Sequence, residues 1–110
     1  MENQPLDAVT DATFADSVLS AAVPVVVHHS AAWCSPCRQL DPILQELATR
    51  FRDRVRFVRL DTDANPVTPA EQGVHGVPTV QIFVGGREVR RFQGARTKME
   101  LQDAVESVLA

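Results

Sequence analysis

Cys34 and Cys37 are the only two cysteines in a chain of 110 residues, and they stand three positions apart in the run Trp33-Cys34-Ser35-Pro36-Cys37. A bridge across so short a loop adds little to stability, because loop-closure entropy is small for few residues. An all-cysteine zinc site needs four thiolates, twice what the chain offers. Reversible thiol–disulfide chemistry is what this spacing serves best. If Cys34 opens a helix, the unpaired amides and positive dipole end of that helix favour its thiolate, the reactive form. Cys37 then lies one turn on, on the same face, with its sulfur in reach of Cys34. Cys34 attacks a substrate disulfide, and Cys37 displaces the reduced substrate from the resulting mixed disulfide. Cys37 is expected to be the more deeply buried of the two. Pro36 is tolerated in a first helical turn and withholds one amide donor, and Ser35 brings a hydroxyl near both sulfurs. Both are therefore candidates for tuning the redox poise. A fixed structural bridge is the plain alternative. A metal site built with His28 or His29 is disfavoured, because neighbouring residues on a strand point to opposite faces.

The elements around this pair follow from periodicity. The apolar run from Pro24 predicts a buried strand over about 24–30, ending just before the cysteines. Leu40, Ile43, Leu44, Leu47, Ala48 and Phe51 recur at spacings of three and four. They predict a helix from the cysteines to about residue 52, kinked at Pro42. Val55 to Asp61 reads as a strand with both faces partly buried. Asn65-Pro66 reads as a cap and first residue of a short helix running to about Gln72 and stopped by Gly73. Thr79 to Val84, Gly85-Gly86 and Arg87 to Phe92 read as a hairpin, and Thr97 to Leu109 as an amphipathic helix. Thr10 or Asp11 is expected to cap a first helix holding Phe14, Val18 and Leu19, after a short strand near Leu6 to Val9. The order β-α-β-α-β-α-β-β-α predicts an α/β fold, one domain over 1–110 with a mixed five-stranded sheet flanked by four helices.

Composition narrows the function. The formal net charge of −3 argues against a nucleic-acid partner, since phosphate binding needs a basic excess. No segment reaches the roughly 18–20 apolar residues of a membrane span. The polar, acidic start MENQPLDAVTD lacks the basic end and apolar run of a secretory signal, so a cytoplasmic protein is expected. Oxidants and isomerases work in oxidising compartments, which favours a reductant here. A peptide-binding or holdase-type module, with redox activity secondary, is the alternative from another class.

AAWCSPCRQLDPIL, VRLDTDANP, GVHGVPTVQIFVGGR and FQGA together resemble the thioredoxin family, over nearly the whole chain from about Val9 to Ala110. The resemblance implies a thioredoxin fold and a protein-disulfide reductase. Its redox-active group is the Cys34–Cys37 disulfide, with no further cofactor and no metal. Protein disulfides are the implied substrates and a thioredoxin reductase the implied recycling partner, for a protein that carries electrons and maintains cellular redox balance. A monomer is expected, because nothing in the sequence suggests an unsatisfied apolar surface larger than the groove. It also implies a cis proline at Pro78 facing the cysteines, and a substrate segment pairing with the backbone of Val77. Trp33, Gly76, Val77, Pro78, Gly94 and Ala95 would form the contact surface.

The chain departs from the family pattern at three places. His28 stands where a buried aspartate is usual. It is a candidate proton relay for Cys37 as a neutral imidazole base, or else a core histidine that moves no proton. His29 and Ser30 replace a usual aromatic pair, which predicts a more polar sheet below the site. Ser35 replaces a glycine. Arg59 falls where a lysine is common and, without the strand acid, is expected to pair with Asp61 or Glu46 or to reach solvent. His75 is expected to be an exposed loop residue at the edge of the groove.

Overall fold

Val25–Ser30 forms a central strand in which all six residues are buried, the apolar Val25–Val27 and the polar His28, His29 and Ser30 alike. In the computed structural model, which describes residues 5–110, this strand is β2. Residues 1–4, part of the domain expected over 1–110, lie outside the described residues. The other elements are β1 (Asp7–Val9), α1 (Ala15–Leu19), α2 (Ser35–Arg50), β3 (Arg56–Asp61), α3 (Val67–Glu71), β4 (Thr79–Val84), β5 (Arg87–Gln93) and α4 (Lys98–Leu109). The sheet order is β1-β3-β2-β4-β5. β1 and β2 run parallel to β3, whereas β4 is antiparallel to both β2 and β5. This is the mixed five-stranded sheet with four helices that the periodicity predicts.

Alternation along the strands sorts the core into two layers. Val26, Phe57, Val80 and Ile82 pack under α2 and α4, against Leu40, Leu44, Leu47, Phe51, Leu101 and Val105. Val25, Val27, Val58, Leu60 and Phe83 face the other way, against Phe14 and Val18 of the α1 region. Burying each such side chain contributes about 1.5–3 kcal/mol relative to exposure. His28 and Arg59 are register partners on β2 and β3, so they lie side by side on the face that α2 covers.

Two local expectations are corrected. The first helix is a π-helical turn over Ala15–Leu19 with Phe14 at its N-cap position and no side-chain cap. Thr10 closes the preceding turn, trading hydrogen bonds with Thr13. Asp11 caps a different helix: its carboxylate accepts from the amides of Val67 (3.2 Å) and Thr68 (2.7 Å) at the start of α3. Those bonds hold its carboxyl below the usual carboxylate range despite an opposing contribution from desolvation. Pro66, not Asn65, occupies the cap position of α3, and the Asn65 side chain accepts from the Asp11 amide instead. A long-range clasp between the α1 and α3 ends thus replaces two local caps. At the hairpin, Gly85 and Gly86 both have positive φ (59° and 82°), as a tight primed turn requires.

Candidate active site

The redox pair sits where β2 hands over to α2. Cys34 is the N-cap of α2 in extended conformation, Ser35 is its first residue, and Pro36 lies within the first turn, where a missing amide costs nothing. The Cys34 sulfur takes the role usually played by a Ser or Asp oxygen: it accepts the amide of Cys37 at 3.2 Å. Cys34 and Cys37 are joined as a disulfide with Cα atoms 5.3 Å apart. The expected difference in burial is small in this oxidised form, with 3% of Cys34 and 2% of Cys37 exposed. The bond draws both sulfurs into one cluster with Ala31 and Val77, beneath a rim of exposed Ala32, Trp33, Ser35 and Pro36.

The residues expected to line a substrate groove gather around that rim. The Val77–Pro78 bond is cis. Val77 packs on the cysteine cluster, Pro78 is buried, and Gly76 and His75 are exposed. The Gly94 amide donates to the Pro78 carbonyl at 2.8 Å, which brings Gly94 and the exposed Ala95 beside the cis proline. No backbone hydrogen bond to Val77 occurs among the described residues outside the regular elements. Trp33 is 69% exposed, and its indole N–H donates to Asp63 at 2.9 Å, which restrains the ring beside Cys34 in the chain.

Beneath the sulfurs the sheet is polar, as the loss of the aromatic pair predicts. His28 and His29 are both fully buried but face opposite sides. On the α3 side, His29 Nε2 donates to Gln81 Oε1 at 2.7 Å. The Gln81 amide donates in turn to Gln72 and Glu88, and Arg91 donates to Glu88 and to the carbonyls of Gln72 and Gly73. Burial pushes the His29 imidazole below its usual range, only partly opposed by its bond to Gln81.

On the α2 side, Asp41 reaches down from the helix to His28, with Oδ1 3.4 Å from Nδ1. Its other oxygen accepts from Gln45 at 2.8 Å and faces Arg59 Nη1 at 3.4 Å. Arg59 therefore pairs with Asp41, and the expected partners are occupied elsewhere: Glu46 holds Lys98, and Asp61 accepts from the amides of Asp63 and Ala64. His28 first, then Gln45 and Arg59, hold the Asp41 carboxyl below the usual carboxylate range against desolvation. A cleft of about 600 Å³ opens over this group, lined by Cys37, His28, Asp41, Pro42, Arg59 and Asp61 among others. Asp41, Asp63 and Gln81 were not among the residues singled out from sequence. Asp41 carried a legible signal, since it follows Cys37 by one helical turn on the same face. Among the described residues no three His, Cys, Asp or Glu groups assemble as a metal site, and no helix is long and apolar enough to cross a membrane.

Known proteins match this arrangement along almost its full length. The sequence profile of the family named Thioredoxin covers residues 5–107. Thioredoxin 1 of Synechococcus elongatus is 39% identical over 102 residues, 93% of this chain and 95% of that protein. The thioredoxin of Rhodospirillum rubrum is 43% identical over 99 residues, 90% of this chain and 95% of that protein. The chloroplastic thioredoxin M2 of Arabidopsis thaliana is 38% identical over 104 residues, 94% of this chain but only 56% of that longer protein. A cysteine pair bonded at a helix start beside a cis proline, within a profile that spans the sheet and reaches into the last helix, has one reading: the chain belongs to the thioredoxin family and is a thiol–disulfide oxidoreductase.

Proposed function

We propose that Cys34 is the attacking thiol and Cys37 the resolving thiol of a protein-disulfide reductase. The observation that carries the assignment is the Cys34 sulfur at the cap of α2, where it already accepts the Cys37 amide. Once reduced, a Cys34 thiolate keeps that donor and the positive end of a 16-residue helix. Its attack on a substrate disulfide forms one new S–S bond and expels one substrate thiolate. Cys37 then gives up its proton, bonds Cys34 and expels the second substrate thiolate. Two electrons pass to the substrate, and the Cys34–Cys37 disulfide is left behind. Pro36 and Ser35 tune the exchange from the first helical turn.

The contact surface is proposed to be Trp33, Gly76, Val77, Pro78, Gly94 and Ala95. The free backbone of Val77 supports pairing with an extended substrate segment, a mode that recognises main chain rather than sequence. A thioredoxin reductase, as in the family, returns the disulfide to the dithiol. The protein acts as a monomer in a reducing compartment such as the cytoplasm, where the dithiol form persists. No observation favours the peptide-binding alternative. Insulin reduction driven by dithiothreitol tests the assignment. Turnover should vanish in Cys34→Ser, and Cys37→Ser should accumulate a stable mixed disulfide. Turnover that survives in Cys34→Ser would overturn it, and peptide binding with no turnover in the wild type would favour a binding module.

A further inference from the structure

We infer that Asp41 is the positioning acid of this site, and that with His28 it forms a relay that takes the proton of Cys37 out through the cleft beneath α2. This rests on the proposed role of Cys37 as the resolving thiol.

Three independent observations point to it. First, neither ring nitrogen of the fully buried His28 has a hydrogen-bond partner among the described residues, and Asp41 Oδ1 has none either. Buried polar groups are normally satisfied, so an imidazole and a carboxylate oxygen left facing each other at 3.4 Å need an explanation. His29, across the sheet, has a partner for Nε2 in Gln81 and lacks one only for Nδ1, whereas His28 lacks one for both nitrogens. Second, both groups line one cleft with Cys37, and at about 600 Å³ that cleft admits solvent. The imidazole nitrogens and Asp41 Oδ1 are shielded from solvent, so the cleft wall that Cys37 shares with His28 meets water at Arg59 and the partly exposed Asp41 side chain. Third, the charges around the pair have the right order. Arg59, on β3 beside His28, faces the outer oxygen of Asp41 and keeps it ionised, so a carboxylate stands ready where imidazolium forms.

The remaining groups packed around His28 do not compete. β4 presents Val80 as its register partner. Arg38 on α2 is committed to the Ala32 carbonyl, and Asp61 at the end of β3 to two backbone amides. His29 lies across the sheet. In the step itself, Cys37 loses its proton to a neutral His28 nitrogen and its sulfur bonds Cys34. The Cys34–substrate S–S bond breaks, and the expelled thiolate takes up a proton from solvent. His28 returns its proton through the cleft, where Asp41 and Arg59 meet water. His28 holds the proton, and Asp41 orients the ring and stabilises its charged form.

Reaction of the reduced protein with the chromogenic disulfide DTNB separates the two thiols. One thionitrobenzoate is released when Cys34 attacks, and a second when Cys37 resolves. Asp41→Asn should leave the first phase within about twofold and slow the second by about tenfold or more at pH 7, the low end of what general base catalysis contributes. The lost rate should return as pH rises toward about 8.5, where an ordinary thiol ionises unaided. His28→Asn should do the same, and Asp41→Glu should restore part of the rate. A second phase unchanged in rate and pH profile in Asp41→Asn overturns the relay. If Cys37→Ser still releases the second equivalent, the assignment of Cys37 itself has failed instead. Should the variants not fold, the wild type answers: the Asp41 carboxyl ¹³C shift should titrate differently in oxidised and reduced protein. Superimposable titrations would overturn the relay.

Discussion

Replacing Gln81 by leucine removes the hub of the buried polar chain on the α3 side. Gln81 is fully buried and makes three side-chain hydrogen bonds, to His29 (2.7 Å), Glu88 (2.9 Å) and Gln72 (3.2 Å). A net contribution of about 1 kcal/mol for each sums to about 3 kcal/mol, of which the apolar leucine restores about 1. The expected loss is about 2 kcal/mol. A melting entropy of about 2.1 cal/mol/K per residue gives about 0.23 kcal/mol/K for this 110-residue chain. Tm should therefore fall by about 9 °C. Because Gln72 and Gly73 are held through the same chain by Arg91, the segment leading to Val77 and Pro78 loosens too, and KM for a protein disulfide should rise with the drop in Tm. Calorimetry at pH 8 measures the first effect and insulin reduction the second.

A double mutant identifies the cause. One of the three lost bonds leaves the His29 N–H buried without an acceptor, so Gln81→Leu combined with His29→Leu should lose less than the sum of the two single losses. A Tm within about 2 °C of wild type in the single mutant, or strictly additive losses in the double, would refute the reasoning.

Two further outcomes follow from particular residues. Gly86→Ala should destabilise where Gly85→Asn does not: a Cβ at Gly86 would lie 2.6 Å from the Leu19 carbonyl oxygen, whereas one at Gly85 meets nothing within 4 Å, and Asn tolerates positive φ. Paired denaturant titrations that show equal losses would contradict this. Stability should also fall as pH drops below about 6.5, because the folded state keeps His29 neutral while the unfolded chain takes up a proton first. The Asp41 contribution is fully present above its unfolded value of about 3.9 and is lost only as pH falls toward its depressed folded value, so the two windows separate. His29→Leu should flatten the slope between about pH 5 and 6.5, and a slope equal to wild type would show that another group carries it.

What the sequence disclosed and what it hid divide along one physical line. Signals carried by neighbours in the chain were legible: the apolar run that opens β2, the helical spacing of Leu40, Leu44 and Leu47, and the cysteine pair at a strand-to-helix junction. Interactions that exist only after the sheet is assembled were not. Asp11 reads as a local cap and instead closes α3, because the chain brings it next to an open helix end 56 residues away. Gln81 reads as one polar residue in an apolar strand, and its worth appears only when His29, Gln72 and Glu88 converge on it.

Asp41 stands between the two kinds. Its spacing from Cys37 was visible, but its meaning depends on the register that sets His28 beside Arg59 beneath α2. With no acid on β2, Arg59 reads as a cation without its usual partner. In the fold a carboxylate descends from the helix to meet it, and the histidine at the strand position becomes that carboxylate's second neighbour. The charge arrangement is carried by three elements rather than two. The partner of Arg59 is therefore not legible on its own strand or the strand beside it, and is found on the helix that covers both.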